Sequence, residues 1–212
     1  MKANYNGIAP FYDSLSRLIY GSAIVNAQKF LVDTIVADSA ILIVGGGTGW
    51  ILEDISQKVP AGLHMTYIDI SEKMIELSKR RYIGNNKVIF LNADIKHVEL
   101  RPMFDVVITP FLLDNFSART ATVVFDKIHG CLSPGGLWLF SDFQVSNERN
   151  LWQKLLLKLM YLFFRLSCNI EANELPDTNL LFSKNGYKII SSKTFFQDFI
   201  CSIIYKKPDA TF

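Results

Sequence analysis

The chain has 212 residues, of which half are hydrophobic, a fifth charged and 13% aromatic, a balance that excludes an intrinsically disordered or fibrous protein. A chain of this length forms one domain, or one domain with a modest appendage, and its folding buries roughly 70% of the surface that the extended chain exposes. Lys and Arg number 22 against 20 Asp and Glu, a net charge of +2, so a nucleic-acid partner has to be argued from a site and not from charge.

The residues before position 40 read as two helices with a break at Gly7-Ile8-Ala9-Pro10. From residue 40 to residue 141 short apolar runs alternate with segments of helical periodicity, the pattern of repeated βα units on a parallel sheet. The predicted strands are Ile41 to Val44, Met65 to Ile68, Lys87 to Phe90, Asp105 to Ile108 and Leu137 to Phe140. They are branched or aromatic and mostly apolar on both faces, as parallel strands covered by helices must be. Predicted helices run from Trp50 to Lys58, from Glu72 to Arg81 with Ser71 as N-cap, and from Ala118 to Gly130. Ser133-Pro134-Gly135-Gly136 makes a turn before the fifth strand.

Beyond residue 145 the pattern predicts a helix from about Glu148 to Arg165, a short helix near Asp177 to Lys184, and two β-like runs, Tyr187 to Phe195 and Phe199 to Lys206. Only Phe196-Gln197-Asp198 separates the last two, which makes them an antiparallel hairpin at one sheet edge. The expected organisation is one domain over 1–212. It divides into a helical cap (1–38), a core (40–142), a helical insert or lid (146–185) and a C-terminal hairpin (187–206).

Cys131, Cys168 and Cys201 are far apart and odd in number, a poor disulfide framework that fits a reducing compartment. His64, His97 and His129 are isolated, without the spacing that sets two ligands on one helical face, so no metal is expected. Lys2, Asp13 and Arg17 interrupt the N-terminal segment, which argues against a cleaved secretory signal, and no run has the length of a membrane span. A cytoplasmic location is the resulting expectation.

In an open parallel sheet the ligand crevice lies beyond the carboxyl ends of the strands. Gly45-Gly46-Gly47-Thr48-Gly49 follows the first strand and leads into a helix, which supplies a tight turn and unpaired amide groups. Asp69 ends the second strand, 20 residues beyond Gly49, well placed to accept both hydroxyls of a ribose. Asp94, Asp114 and Asp142 follow or end the next three strands. Asp94 has capping of its own turn as a plainer duty, and Asp114 and Asp142 have simple exposure in a loop. The dinucleotide fingerprint fails in either register, because its third glycine falls on Trp50 or Leu52, so a ligand with a ribose and no diphosphate fits better.

At these residues the chain resembles the class I S-adenosylmethionine-dependent methyltransferases, in particular the small-molecule branch of the ubiquinone and menaquinone C-methyltransferases. ILIVGGGTG (41–49) is similar to the motif that wraps the methionine part of the cofactor, and YIDISEKM (67–74) to the ribose motif. FLNADI (90–95) is similar to the adenine motif, FDVVIT (104–109) to the fourth strand, and LSPGGL (132–137) to the turn before the fifth. Ile8 to Asp13 is similar to the segment that closes over the cofactor with its Tyr. The resemblance implies a Rossmann-like methyltransferase sandwich: a seven-stranded, mostly parallel α/β sheet with an antiparallel C-terminal hairpin and helices on both faces. It implies S-adenosylmethionine as cofactor, released as S-adenosylhomocysteine, and a small-molecule acceptor. The implied cofactor-binding residues are Tyr12, Gly45, Gly46, Gly47, Thr48, Gly49, Asp69, Ile70, Met74, Asp94, Ile95 and Thr109.

One position departs from the family. Ile43 stands where an acidic residue usually holds the methionine ammonium, and losing a charge-assisted hydrogen bond costs roughly 1.5 to 3 kcal/mol. That departure keeps a non-catalytic nucleoside-binding domain in view, beside a polyamine aminopropyltransferase and a nicotinamide-dependent oxidoreductase. Methyl transfer is an in-line displacement that mainly needs positioning, and a base serves only a nucleophile that must lose a proton. Asp114, Asp142 and Tyr12 are the candidates by position. Lys79-Arg80-Arg81 is the basic cluster, and at a helix end the helix dipole accounts for it, so no nucleic acid is expected. The segment 151–166, LWQKLLLKLMYLFFRL, carries a wide apolar stripe and a cationic side. It packs on the sheet, lies on a membrane surface as a peripheral contact over a lipophilic acceptor, or meets a second subunit in a homodimer.

Overall fold

The computed structural model describes residues 3–100, 103–145 and 150–210. These form seven strands, β1 (Ala40–Val44), β2 (Ala61–Asp69), β3 (Asn85–Asn92), β4 (Phe104–Pro110), β5 (Leu132–Phe143), β6 (Lys188–Phe195) and β7 (Ile200–Lys206). The α-helices are α1 (Tyr12–Tyr20), α2 (Ala23–Val32), α3 (Trp50–Lys58), α4 (Glu72–Ser78), α5 (Ala118–Cys131), α6 (Leu151–Cys168) and α7 (Thr178–Lys184). The strands make one sheet in the order β3-β2-β1-β4-β5-β7-β6, in which β7 alone runs against the other described strands. The order reverses beside β1, so a crevice opens where the β1 and β4 ends diverge toward their helices.

Period-two alternation splits each central strand between two cores. Leu42 and Val44 face a cluster with Phe125, Trp138 and Phe182, while Ile41 and Ile43 face one with Leu31, Ile51 and Leu52. Each such residue buried from water stabilises the fold by about 1.5 to 3 kcal/mol, and both faces are covered, as the two-sided apolar strands require. Ser71 caps α4 by accepting from the Met74 N–H at 3.2 Å, and Asp177 caps α7 by accepting from the Leu180 N–H at 3.0 Å.

Four local expectations change. The break at Gly7 to Pro10 precedes both N-terminal helices, running into a 3-10 turn (Ala9–Phe11), and the division between α1 and α2 falls at Gly21 with φ of 59°. Ser133 to Gly136 is not a free turn but lies within β5, where Leu132 pairs with Phe104 and Leu137 with Val106, so the residues between them bulge from the ladder. α4 ends at Ser78, short of Arg81. α6 begins at Leu151 and continues to Cys168, whereas Glu148, where its start was expected, lies outside the described residues. The hairpin between β6 and β7 is antiparallel, and Phe196, Gln197 and Asp198 all turn through positive φ.

Candidate functional site

A chamber of about 440 Å³ lies over the carboxyl ends of β1, β2 and β4 and is roofed by α1 and α6. Its polar end is built by the glycine loop. Gly46 cannot carry a side chain, because a Cβ there would overlap the Tyr67 ring. Gly49 sits at φ of 87° with Ser78 2.7 Å from the position of its missing Cβ, so the close packing of loop on neighbour falls here, one residue before the helix. Trp50 lines the chamber and donates its indole N–H to Asp13, and Leu52 goes into the core.

The register pairs Ile43 with Tyr67, and the Tyr67 hydroxyl donates to the Gly47 carbonyl at 3.0 Å. A buried phenol thus holds the loop from beneath where Ile43, fully buried in the core, offers nothing polar. From the other side Asp69 Oδ2 accepts from the Gly47 N–H at 3.0 Å, and Oδ1 accepts from the Ser71 N–H at 2.9 Å. Burial pushes the Asp69 carboxyl up to about 6, with these two amides opposing the rise. Ile70, Met74, Asp94 and Ile95 line the same end of the chamber. Asp94 caps its own turn, accepting from the Lys96 N–H at 3.0 Å, and also meets Lys96 Nζ at 3.6 Å.

The N-terminal segment closes the chamber through residues whose role the sequence did not reveal. Asp13 Oδ1 accepts from the Thr48 hydroxyl at 2.6 Å, and Oδ2 accepts from Trp50 Nε1 at 2.8 Å and from Arg81 at 3.1 Å. Arg81 also donates to the Thr48 carbonyl at 2.8 Å and lies 3.9 Å over the Trp50 ring, so this member of the basic cluster is folded inward beyond α4. Asn6 accepts from the Ser71 hydroxyl at 2.7 Å, and Tyr5 donates to Asn115. The signal available in the sequence was the position of Asp13 beside Tyr12, which itself lines the chamber.

The far end of the chamber is apolar, walled by Tyr20, Ile24, Phe111, Phe143, Leu156 and Met160. Asp114 lines it from a 3-10 turn (Leu113–Asn115) after β4. Its backbone N–H donates to Asp142 Oδ2 at 3.2 Å, and its Oδ1 accepts from Asn115 at 2.7 Å. Burial raises the Asp114 carboxyl to about 7 although Asp142 hydrogen-bonds to it, and burial together with the Asp114 charge raises Asp142 well above the usual range. One carboxyl of the pair therefore keeps its proton near neutrality. Asp142 lies behind Asp114 and off the chamber wall. The Tyr12 hydroxyl is pushed up by burial and then by the Asp114 charge, so it stays protonated and is a donor, not a base. Thr109 is fully buried and accepts from Trp138 Nε1 at 2.8 Å, so it belongs to the core and not to the chamber. Gly49 shapes the loop without lining the chamber.

Two carboxylates beside an apolar slot and a loop of backbone amides match a nucleoside. The chamber's cations do not make a phosphate site, since Lys96 is engaged by Asp94 and Glu171 and Arg17 lies 5.1 Å over the Trp50 ring. With this geometry go the likenesses to known proteins. Residues 41–136 match the family described as a methyltransferase domain. The malonyl-[acyl-carrier protein] O-methyltransferase of Priestia megaterium is 27% identical over 143 residues, 68% of this chain and 51% of that protein. The ubiquinone/menaquinone biosynthesis C-methyltransferase UbiE of Geotalea daltonii is 27% identical over 193 residues, 88% of this chain and 76% of that protein. The chain thus spans about half the length of the first relative and about three quarters of the second. In fold it is similar to the Burkholderia thailandensis 1,6-didemethyltoxoflavin-N1-methyltransferase with bound 1,6-didemethyltoxoflavin and S-adenosylhomocysteine. The TM-score is 0.66 at 15% identity, covering 95% of this chain and 85% of that one.

The chain thus resembles a methyltransferase domain over residues 41–136. It is similar to the ubiquinone and menaquinone C-methyltransferases over most of its length.

Proposed function

We propose that the chain transfers a methyl group from S-adenosylmethionine to a small acceptor with an apolar body. The observation that carries this reading is the buried Asp69 carboxylate, held by the Gly47 and Ser71 amides at the end of β2 and facing the chamber. Asp69 is the partner for the ribose hydroxyls, Ile70, Met74 and Ile95 form the slot for the adenine, Asp94 accepts from its amino group, and Gly45 to Thr48 take the methionine part. The bound cofactor supplies a sulfonium-activated methyl group.

The aromatic end of the chamber orients the acceptor and excludes water from the line of attack. Where the acceptor nucleophile must lose a proton as its bond to the methyl carbon forms, Asp114 takes that proton, and Asp142 holds Asp114 in place. Relatives and neighbours named as C-, O- and N1-methyltransferases agree with a scaffold that positions more than it activates. Buried Cys131, Cys168 and Cys201 suit a reducing compartment, and we place the reaction in the cytoplasm. In this reading 1–38 caps the site and 146–185 roofs it. The match to a methyltransferase family disfavours a nicotinamide-dependent oxidoreductase, an aminopropyltransferase and a domain without catalysis.

Calorimetric titration with S-adenosylmethionine, S-adenosylhomocysteine, NAD and decarboxylated S-adenosylmethionine tests the proposal. Micromolar binding of the first two, lost in Asp69→Ala, is the expected result. Binding of none of them, or of NAD in preference, overturns it.

A further inference from the structure

Helix α6 is anchored by one face and bare on the other. Gln153, Met160, Tyr161 and Cys168 are buried, the last three among Tyr5, Ile8 and Phe143. At about 100° per residue the opposite face is a ridge of leucines: Leu151, Leu155, Leu159, Leu162 and Leu166, which are 78%, 59%, 55%, 57% and 81% exposed. Trp152 and Phe163 widen it, each about 40% exposed. A monomer rarely leaves such a contiguous apolar surface uncovered without a partner for it.

The charges beside the ridge identify that partner. Lys154, Lys158 and Arg165 share one flank between the ridge and the buried face, and the helix contains no Asp or Glu. None of the three forms an ion pair among the described residues. A second copy of the ridge would bring more leucines and more cations but no anion. An anionic lipid surface satisfies both parts at once, with leucines in the acyl boundary and flexible cationic side chains at headgroup depth. No helix among the described residues is long and apolar enough to cross a membrane, so the contact lies in the interface plane.

The ridge also reaches the mouth of the chamber. Leu159 and Phe163 line the chamber and remain exposed, and Ile19 of α1 does the same from across the opening. We propose that the outer face of α6 docks on an anionic phospholipid surface and brings the chamber mouth against the acyl region, so that an apolar acceptor enters from the lipid. The docking itself does not depend on the methyl-transfer reading, and its test involves no cofactor.

Co-sedimentation of the full chain with vesicles of phosphatidylcholine alone, or with about one part in three phosphatidylglycerol, measures the contact. Expected is binding to the anionic vesicles, weakened about tenfold by Lys154→Glu with Lys158→Glu and by raised salt, and lost in Leu155→Ser with Leu162→Ser. Brominated lipid should quench wild-type emission and spare Trp152→Phe. All these positions are exposed, and an unchanged Tm without vesicles shows that each variant folds. Failure to bind either vesicle, equal binding to neutral vesicles, or a stable dimer in solution that Leu155→Ser with Leu162→Ser dissociates overturns the proposal.

Discussion

The Trp50 indole donates to Asp13 Oδ2 at 2.8 Å, joining the helix that roofs the chamber to the first residue of the helix behind the glycine loop. The same carboxylate takes the Thr48 hydroxyl and Arg81, so three donors from the loop side converge on one group from the roof.

Asp13→Asn keeps the shape but removes the charge that Arg81 faces. Charge-assisted hydrogen bonds contribute roughly 1.5 to 3 kcal/mol each, and the partial exposure of Asp13 brings the expected loss to about 1 to 2 kcal/mol. At about 2 to 4 °C per kcal/mol for a chain of this size, a fall in Tm of a few degrees follows. Affinity for S-adenosylhomocysteine should fall about tenfold, because the closed roof is less populated. Thermal melts and titration of the variant check both, and unchanged values in both would show that the roof closes without Asp13.

The central sheet was legible in the sequence because its strands must be apolar on two faces and its turns need glycine. Ile41 to Val44 followed by five loop residues leaves few other structures. The acids were legible for the same reason, since Asp69 and Asp94 sit at strand ends and their spacing follows from βα geometry. Asp13, Tyr67 and Arg81 were not, because each acts across the chain on a residue that only the tertiary fold brings near. Thr109 shows the converse: it sits at the end of a motif strand, but the alternation of that strand turns it toward Trp138. Which side of α6 faces outward was also beyond the sequence, since the helix is apolar around most of its circumference.

Tyr67, paired with Ile43 across the sheet, braces the glycine loop through the Gly47 carbonyl. Tyr67→Phe leaves the Gly47 carbonyl without its donor, a cost of about 1 to 3 kcal/mol for a buried group. Gly46→Ala should cost more, because its Cβ meets the ring itself. The hydroxyl is among the atoms in that overlap, so the double variant should lose less than the sum of the two. Denaturant melts of the four proteins measure the coupling, and strict additivity would mean that the ring does not set the path of the loop.

Asp114 and Asp142 make both stability and rate depend on pH. The folded protein holds the Asp114 proton up to about 7, far above the 3.8 of an unperturbed carboxyl, so between these values the native state binds more protons than the unfolded one. Stability is therefore fully present below the unfolded value and is lost as pH rises through about 7. Asp69 acts in the same direction, with its loss running between 3.8 and about 6. In Asp114→Asn the Tm should fall less between about pH 5 and pH 8, with the remaining slope carried by Asp142, which burial still raises, and by Asp69. Methyl transfer to an acceptor that must shed a proton runs the other way: its rate rises with pH as the Asp114 carboxylate forms, and Asp114→Asn flattens that rise. Melting curves and single-turnover rates across this range separate the two effects. A wild-type Tm that climbs with pH over the window would show that the pair is already ionised in the native protein, and the rise in rate would then be absent.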